Sequence, residues 1–353
     1  MKDSIDFGSM NISTLFRKLL IPTVLGMVFS ALFVITDGIF VGKGIGSDAL
    51  AAVNITAPLF MIAAGIGLMF GVGASVVASI HLSQGKRKVA SINITQAIAF
   101  SALLILILSA LCLYFIEPLA RLLGSSDRLL PLAVEYMAWY IPFLVFYEVL
   151  NIGMFCIRLD GSPTYAMMCN AVAAILNIIL DYIFVFGKFG FPEMGVKGAA
   201  IASVIAEASS ILFFFIYTYI TVDFRKYGLN HFRSFDPQLL LRILNISCFT
   251  MLQYFLAMGT WFVFFVAVER LGQRELAIAN IVRSIYIMML IPVNSLATTS
   301  NTLVSNAIGR EGTGNVLVII RKIAKMSFMI MFVCVVVASL FPQAILSVYT
   351  NEA

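Results

Sequence analysis

The sequence predicts an all-α polytopic membrane protein made of two parallel six-helix repeats, the second incomplete, with nine transmembrane helices present. Three observations carry that expectation. Of 353 residues, 61% are hydrophobic and 12% charged, whereas soluble domains carry about a quarter charged residues. Apolar runs recur at about 16–45, 50–80, 89–116, 131–157, 163–187, 195–221, 239–268, 275–307 and 315–341. Each is long enough, at 1.5 Å rise per residue, to cross a ~30 Å hydrocarbon core. The third observation is an internal repeat: IGSDALAAVNI at 45–55 matches LGQRELAIANI at 271–281, five identities in eleven at an offset of 226.

The repeat extends further along the chain. SQGKR at 83–87 aligns with AIGRE at 307–311 at offset 224, as does EPLARLL at 117–123 with FPQAILS at 341–347. Six spans separate equivalent points, an even number, so the copies run in the same direction and are related by an axis along the membrane normal. The expected division is a first lobe over 1–221 with helices one to six, a cytoplasmic linker over 222–238 and a partial second lobe over 239–353 with helices seven to nine. On this expectation the last three helices of the second copy are missing.

Charge sets the orientation. Fifteen Lys and Arg fall in segments on the side of the N-terminus and seven on the other, with Arg283 left inside a helix, so the N-terminus is expected to be cytoplasmic in a cell membrane. The net charge of +5 comes from short loops that set topology, which is not a nucleic-acid signature. Cys112, Cys156, Cys169, Cys248 and Cys334 are scattered through apolar runs and read as small buried hydrophobes rather than a disulfide framework or a zinc site. There is no phosphate-binding glycine loop, no HExxH and no Ser/His/Asp order. No soluble-enzyme constellation and no cofactor are expected.

The first helix concentrates the interest. From Arg17 and Lys18 to Lys43 the only charged residue is Asp37, in the half of the membrane nearer Lys43. A carboxylate there costs several kcal/mol unless it is protonated, paired or ion-bound, so it should face protein or water. The plainer alternative is an acid near a helix end that snorkels to the interface. The fifth helix carries NIILD, which puts Asn177 and Asp181 at i and i+4 on one face, at about the depth of Asp37. If the two acids face each other they cannot both be ionised and unpaired, so a proton or a cation is expected between them. Asn177 offers a neutral oxygen that suits Na⁺ as well as a proton relay. The alternative is an Asp and an Asn that only bond helices together.

Secondary candidates follow the same logic. Tyr136 lies near the outer end of the fourth helix with Glu148 and Asn151 deeper, and Ser203 and Glu207 share a face of the sixth. A Tyr there is commonly a belt anchor, and a helical Ser commonly bonds its own backbone. Pro22, Pro58, Pro142 and Pro292 are expected inside helices, where they kink. His81 and His231 are expected in cytoplasmic loops.

Several motifs together resemble the MATE (multidrug and toxic compound extrusion) family: the Asp37 helix running into FVGKGIGSDALAAVNI, SQGKRKVA, RLDGSPTYAM leading to NIILDYIFVFG, and GVKGAAIASVIAE. The resemblance covers essentially the whole chain. It implies a twelve-helix, two-lobe exporter, monomeric in the bilayer, that carries cationic or amphipathic small molecules in exchange for Na⁺ or H⁺. It also implies that Asp37, Asn177 and Asp181 match the cation-site positions, with Tyr136, Asn151 and Ser203 beside them. Neutral Gln253 stands where some branches place an acid. An alternative of similar architecture is a flippase for lipid-linked precursors or polysaccharides, which would want a basic cavity. Arg283 is the one basic residue expected inside the membrane.

Overall fold

The computed structural model describes residues 5, 7, 10–159, 161–220, 235–269, 273–312, 314 and 316–340. Most of the expected linker (222–234), the first two residues of the repeated LGQ motif (271–272) and FPQAILS (341–347) lie outside the described residues.

The helices in chain order are α1 (Ile12–Gly44), α2 (Ser47–Ile55), α3 (Ala57–Ser83), α4 (Arg87–Tyr114), α5 (Ile116–Leu122), α6 (Leu130–Tyr140), α7 (Leu144–Leu159), α8 (Pro163–Phe186), α9 (Gly195–Ile220), α10 (Pro237–Glu269), α11 (Gln273–Glu311) and α12 (Val316–Leu340). Each of the nine apolar runs falls on one of these helices or a consecutive pair. Among the described residues, eight spans are long and apolar enough to cross a membrane. The protein is a multi-pass, all-α membrane protein.

Local chemistry explains the ends. Asn11 caps α1 by accepting the Ser13 N–H at 3.2 Å, a group with no partner inside the helix. Gly187 ends α8 with φ 61°, a left-handed conformation that costs glycine little. Two of the four prolines sit at breaks rather than inside helices. Pro58 opens α3 just after Thr56, whose hydroxyl bonds Val53 O at 2.6 Å, and Pro142 sits in the 3-10 turn Ile141–Phe143 between α6 and α7. Pro22 and Pro292 do lie inside α1 and α11. The second copy keeps the lengths but not the break: α1 and α10 are both 33 residues, while α11 runs unbroken through the positions equivalent to Thr56 and Pro58. Offset 226 places Val282 and Ser284 there, and without proline the backbone ladder continues.

The bundle is organised around α3, which packs on α4, α7, α10 and α11, while α1 packs on α8 and α11, and α8 on α9. Small residues let α3 approach its neighbours closely. A Cβ on Gly73 would lie 2.7 Å from Ile243 Cγ2 and 2.9 Å from Ile243 O of α10. Leu15, Phe16, Leu19 and Leu20 of α1 form one core cluster with Leu296 and Leu303 of α11 and Ile319 and Ile323 of α12. Large apolar side chains left outside, such as Leu106, Leu111 and Leu212, lie on spanning helices whose outer surface meets lipid.

Candidate functional site

Asn177 and Asp181 point from α8 into the bundle and are both fully buried. That face is the one α8 turns toward α1 and α9. Asn177 Nδ2 donates to Ser203 Oγ of α9 at 3.3 Å, and Ser203 Oγ donates to Asp37 Oδ1 of α1 at 3.4 Å. Asp37 therefore faces protein and does not snorkel. It is an electrostatic neighbour of Asp181. The two Asp181 oxygens and Asn177 Oδ1 are buried without a hydrogen-bond partner, whereas buried polar atoms are normally paired. Three unpartnered oxygens beside a second carboxylate make an all-oxygen acceptor set of the kind that suits a hard cation or a proton.

Next to this cluster is a cavity of about 230 Å³, lined by Asp37, Ser203 and Glu207, by the phenols of Tyr136, Tyr140 and Tyr147, and by Asn151, Phe60 and other residues. Tyr136 is not a belt anchor. It is 5% exposed and stacks on Tyr140 at 5.5 Å. Asn151 uses its Nδ2 on Tyr147 O at 2.8 Å. Tyr140 and Tyr147 were not singled out from the sequence. For Tyr140 a signal existed, since it lies four residues after Tyr136 and so shares its face. Asn170, also in the lining, donates to Gly26 O at 3.0 Å and ties α8 to α1.

Three expectations need correction. His81 is not in a loop: it lies in the last turn of α3 and is buried, because that helix extends three residues past the apolar run. Arg158, expected in a cytoplasmic segment, is instead buried at the end of α7, 7% exposed and 5.5 Å from the Phe155 ring, while Arg283 does lie inside α11, with an exposed side chain. Glu148 is fully buried but does not line the cavity. It lies against Gly67 of α3, where a Cβ would approach its Oε2 to 2.7 Å, and neither of its oxygens has a partner. Gln253 and Val263 of α10 are both exposed. Val263 stands at offset 226 from Asp37, so the second copy presents no acid at that point.

A bundle of membrane-crossing helices that gathers carboxylates around an internal cavity has the build of a polytopic transport protein. The family model MatE matches residues 22–183 and 249–353, and the chain belongs to the MatE family. A FAD transporter of Shewanella oneidensis is 34% identical over 209 residues, 58% of this chain and 45% of that protein. The probable multidrug resistance protein YoeA of Bacillus subtilis is 22% identical over 342 residues, 94% of this chain and 72% of that protein. The probable multidrug resistance protein NorM of Thermotoga maritima is 23% identical over 278 residues, 77% and 58% respectively. The chain thus spans about half the length of the first and third of these relatives. In fold it is similar to a MOP superfamily transporter from Pyrococcus furiosus, with TM-score 0.85 at 25% identity over 97% of this chain and 75% of that one. A multidrug resistance MATE family transporter in an outward-facing conformation superposes with TM-score 0.84 at 24% identity, again over 97% of this chain and 75% of that one.

Proposed function

We propose that this chain is a secondary transporter that exports drugs or other amphipathic organic cations in exchange for Na⁺ or H⁺. Asp37, Asn177 and Asp181 hold the coupling ion on this reading, with Tyr136, Asn151 and Ser203 beside it. Residues 1–221 form one lobe and 239–353 part of a second, joined by 222–238, and the N-terminus is cytoplasmic. One observation carries the choice of substrate: among the described residues two carboxylates, Asp37 and Glu207, line the cavity, and no Lys, Arg or His does. Inside a membrane such a wall attracts a cation and repels an anion.

The Shewanella relative suggests a second reading, transport of a dinucleotide such as FAD. A pyrophosphate would want Arg or Lys as partners, and the same lining argues against it, as it does against a lipid-linked precursor. The test uses proteoliposomes of the full chain loaded with a lipophilic cationic dye or with FAD. Dye loss accelerated by an imposed Na⁺ or H⁺ gradient supports the proposal and identifies the ion. Gradient-driven loss of FAD with none of dye would replace it.

A further inference from the structure

Glu207 lies on α9 four residues after Ser203, hence on the same face and one turn along. It is 5% exposed and lines the cavity. Its two oxygens have different fates. Oε1 accepts the Tyr140 phenol at 3.3 Å, and Oε2 has no hydrogen-bond partner. Aromatic rings share the cavity wall with it. Tyr140 stacks on Tyr136, Phe60 meets Tyr147 at 4.4 Å between centroids, and all four rings line the same cavity. A carboxylate held in this way by one neutral donor, with its other oxygen free, lacks the partner that would compensate its burial. The Asp37, Asn177 and Asp181 cluster does not supply one, since its donors are already directed at Ser203 and Asp37.

We propose that Glu207 and the rings of Tyr140, Tyr147 and Phe60 form a seat for the protonated amine of an amphipathic organic ligand, centred on Glu207 in the cavity that Asp37 also lines. The inference rests on the cationic-substrate reading above and deepens it. Aromatic faces attract any cation, quaternary ones included. Oε2 makes a further demand, because a hydrogen bond needs an N–H aimed at it. A tertiary ammonium has that N–H. Its N-methylated quaternary counterpart carries the same charge on nearly the same shape and has none. The seat therefore distinguishes the two. A charge-assisted hydrogen bond in a buried site corresponds to about tenfold in affinity.

The experiment measures binding to the purified full chain in nanodiscs at pH 7, using a dimethylaminoalkyl acridine and its trimethylammonioalkyl counterpart. The parent should bind the first about tenfold tighter than the second. Glu207→Gln should bring the two affinities together, whereas Glu148→Gln, at a buried acid outside the cavity lining, should leave their ratio unchanged. Glu207→Asp retains the charge but withdraws the oxygen by one methylene, so it too should lower the ratio while quaternary binding persists. This variant serves if the Gln form does not fold. Equal affinities in the parent, or a ratio that survives in both Glu207 variants, overturn the seat and leave the cationic reading standing. Binding of neither compound overturns both.

Discussion

Ser203 on α9 donates its hydroxyl to Asp37 Oδ1 on α1 at 3.4 Å, joining residues 166 positions apart. The same hydroxyl receives Asn177 of α8 at 3.3 Å. Three helices thus meet at one non-titrating side chain, and the orientation of the acid depends on it. Movement of α1 relative to α8 and α9 would change the number of oxygens that converge on an ion, which is how a site of this kind can link binding to conformation.

Asp37→Asn and Asp181→Asn each keep side-chain shape and remove the charge. Each is expected to abolish gradient-driven dye efflux from proteoliposomes while the protein still inserts and melts near the parent Tm. Because the two acids are expected to act on one ion, the double variant should be little worse than either single one. Parent-rate efflux by Asp37→Asn under both Na⁺ and H⁺ gradients would make Asp37 structural.

Ser203→Ala deletes a bridge without touching a charge. It removes two hydrogen bonds, and loss of the one to the Asp37 carboxylate is about 1.5 kcal/mol, or roughly tenfold. The concentration of coupling ion giving half-maximal efflux should rise by about that factor, with the maximal rate retained. Ser203→Thr should restore the parent value, and an unchanged half-maximal concentration in Ser203→Ala would mean the hydroxyl does not orient the acid.

The crossings of α3 with α10 and α11 depend on missing Cβ atoms. A Cβ on Gly309 would meet the Ser83 hydroxyl and lie 2.7 Å from Ile80 O, a backbone atom that cannot rotate away. Gly309→Ala and Gly73→Ala should each cost about 1–3 kcal/mol from overpacking and lower the Tm in detergent. Gly259, also on a helix, has nothing within 4 Å. Gly259→Ala should be neutral or slightly stabilising, since alanine is the better helix former.

Glu148 tests whether every buried acid is functional. It is fully buried, stands outside the cavity lining and has two unpartnered oxygens. Glu148→Met fills similar volume without polar atoms and should raise the Tm, consistent with removing about 1–3 kcal/mol of unsatisfied burial. Efflux should be unaffected, and its loss would give Glu148 a role in transport.

Helix positions and faces are short-range properties, and these were legible in the chain. Hydrophobic length located the nine runs to within a few residues, and the i, i+4 spacing placed Asn177 and Asp181 together. The misplacements arose where helix ends meet tertiary packing. His81 and Arg158 lie in last turns that composition alone assigns to loops, yet neighbouring helices cover them.

What the sequence by itself determined is therefore the set of membrane-length helices, the offset that relates its two copies, and the acids carried within apolar runs. The reason is physical: in hydrocarbon each backbone group must be satisfied within its own helix, so every span is specified by local residues. Only the tertiary structure decided which faces meet. It brought Ser203 between Asp37 and Asn177, set Glu207 against Tyr140 in the cavity, and left Glu148 outside it. Those relations join helices far apart in sequence, and lateral packing, which no local period encodes, determines them.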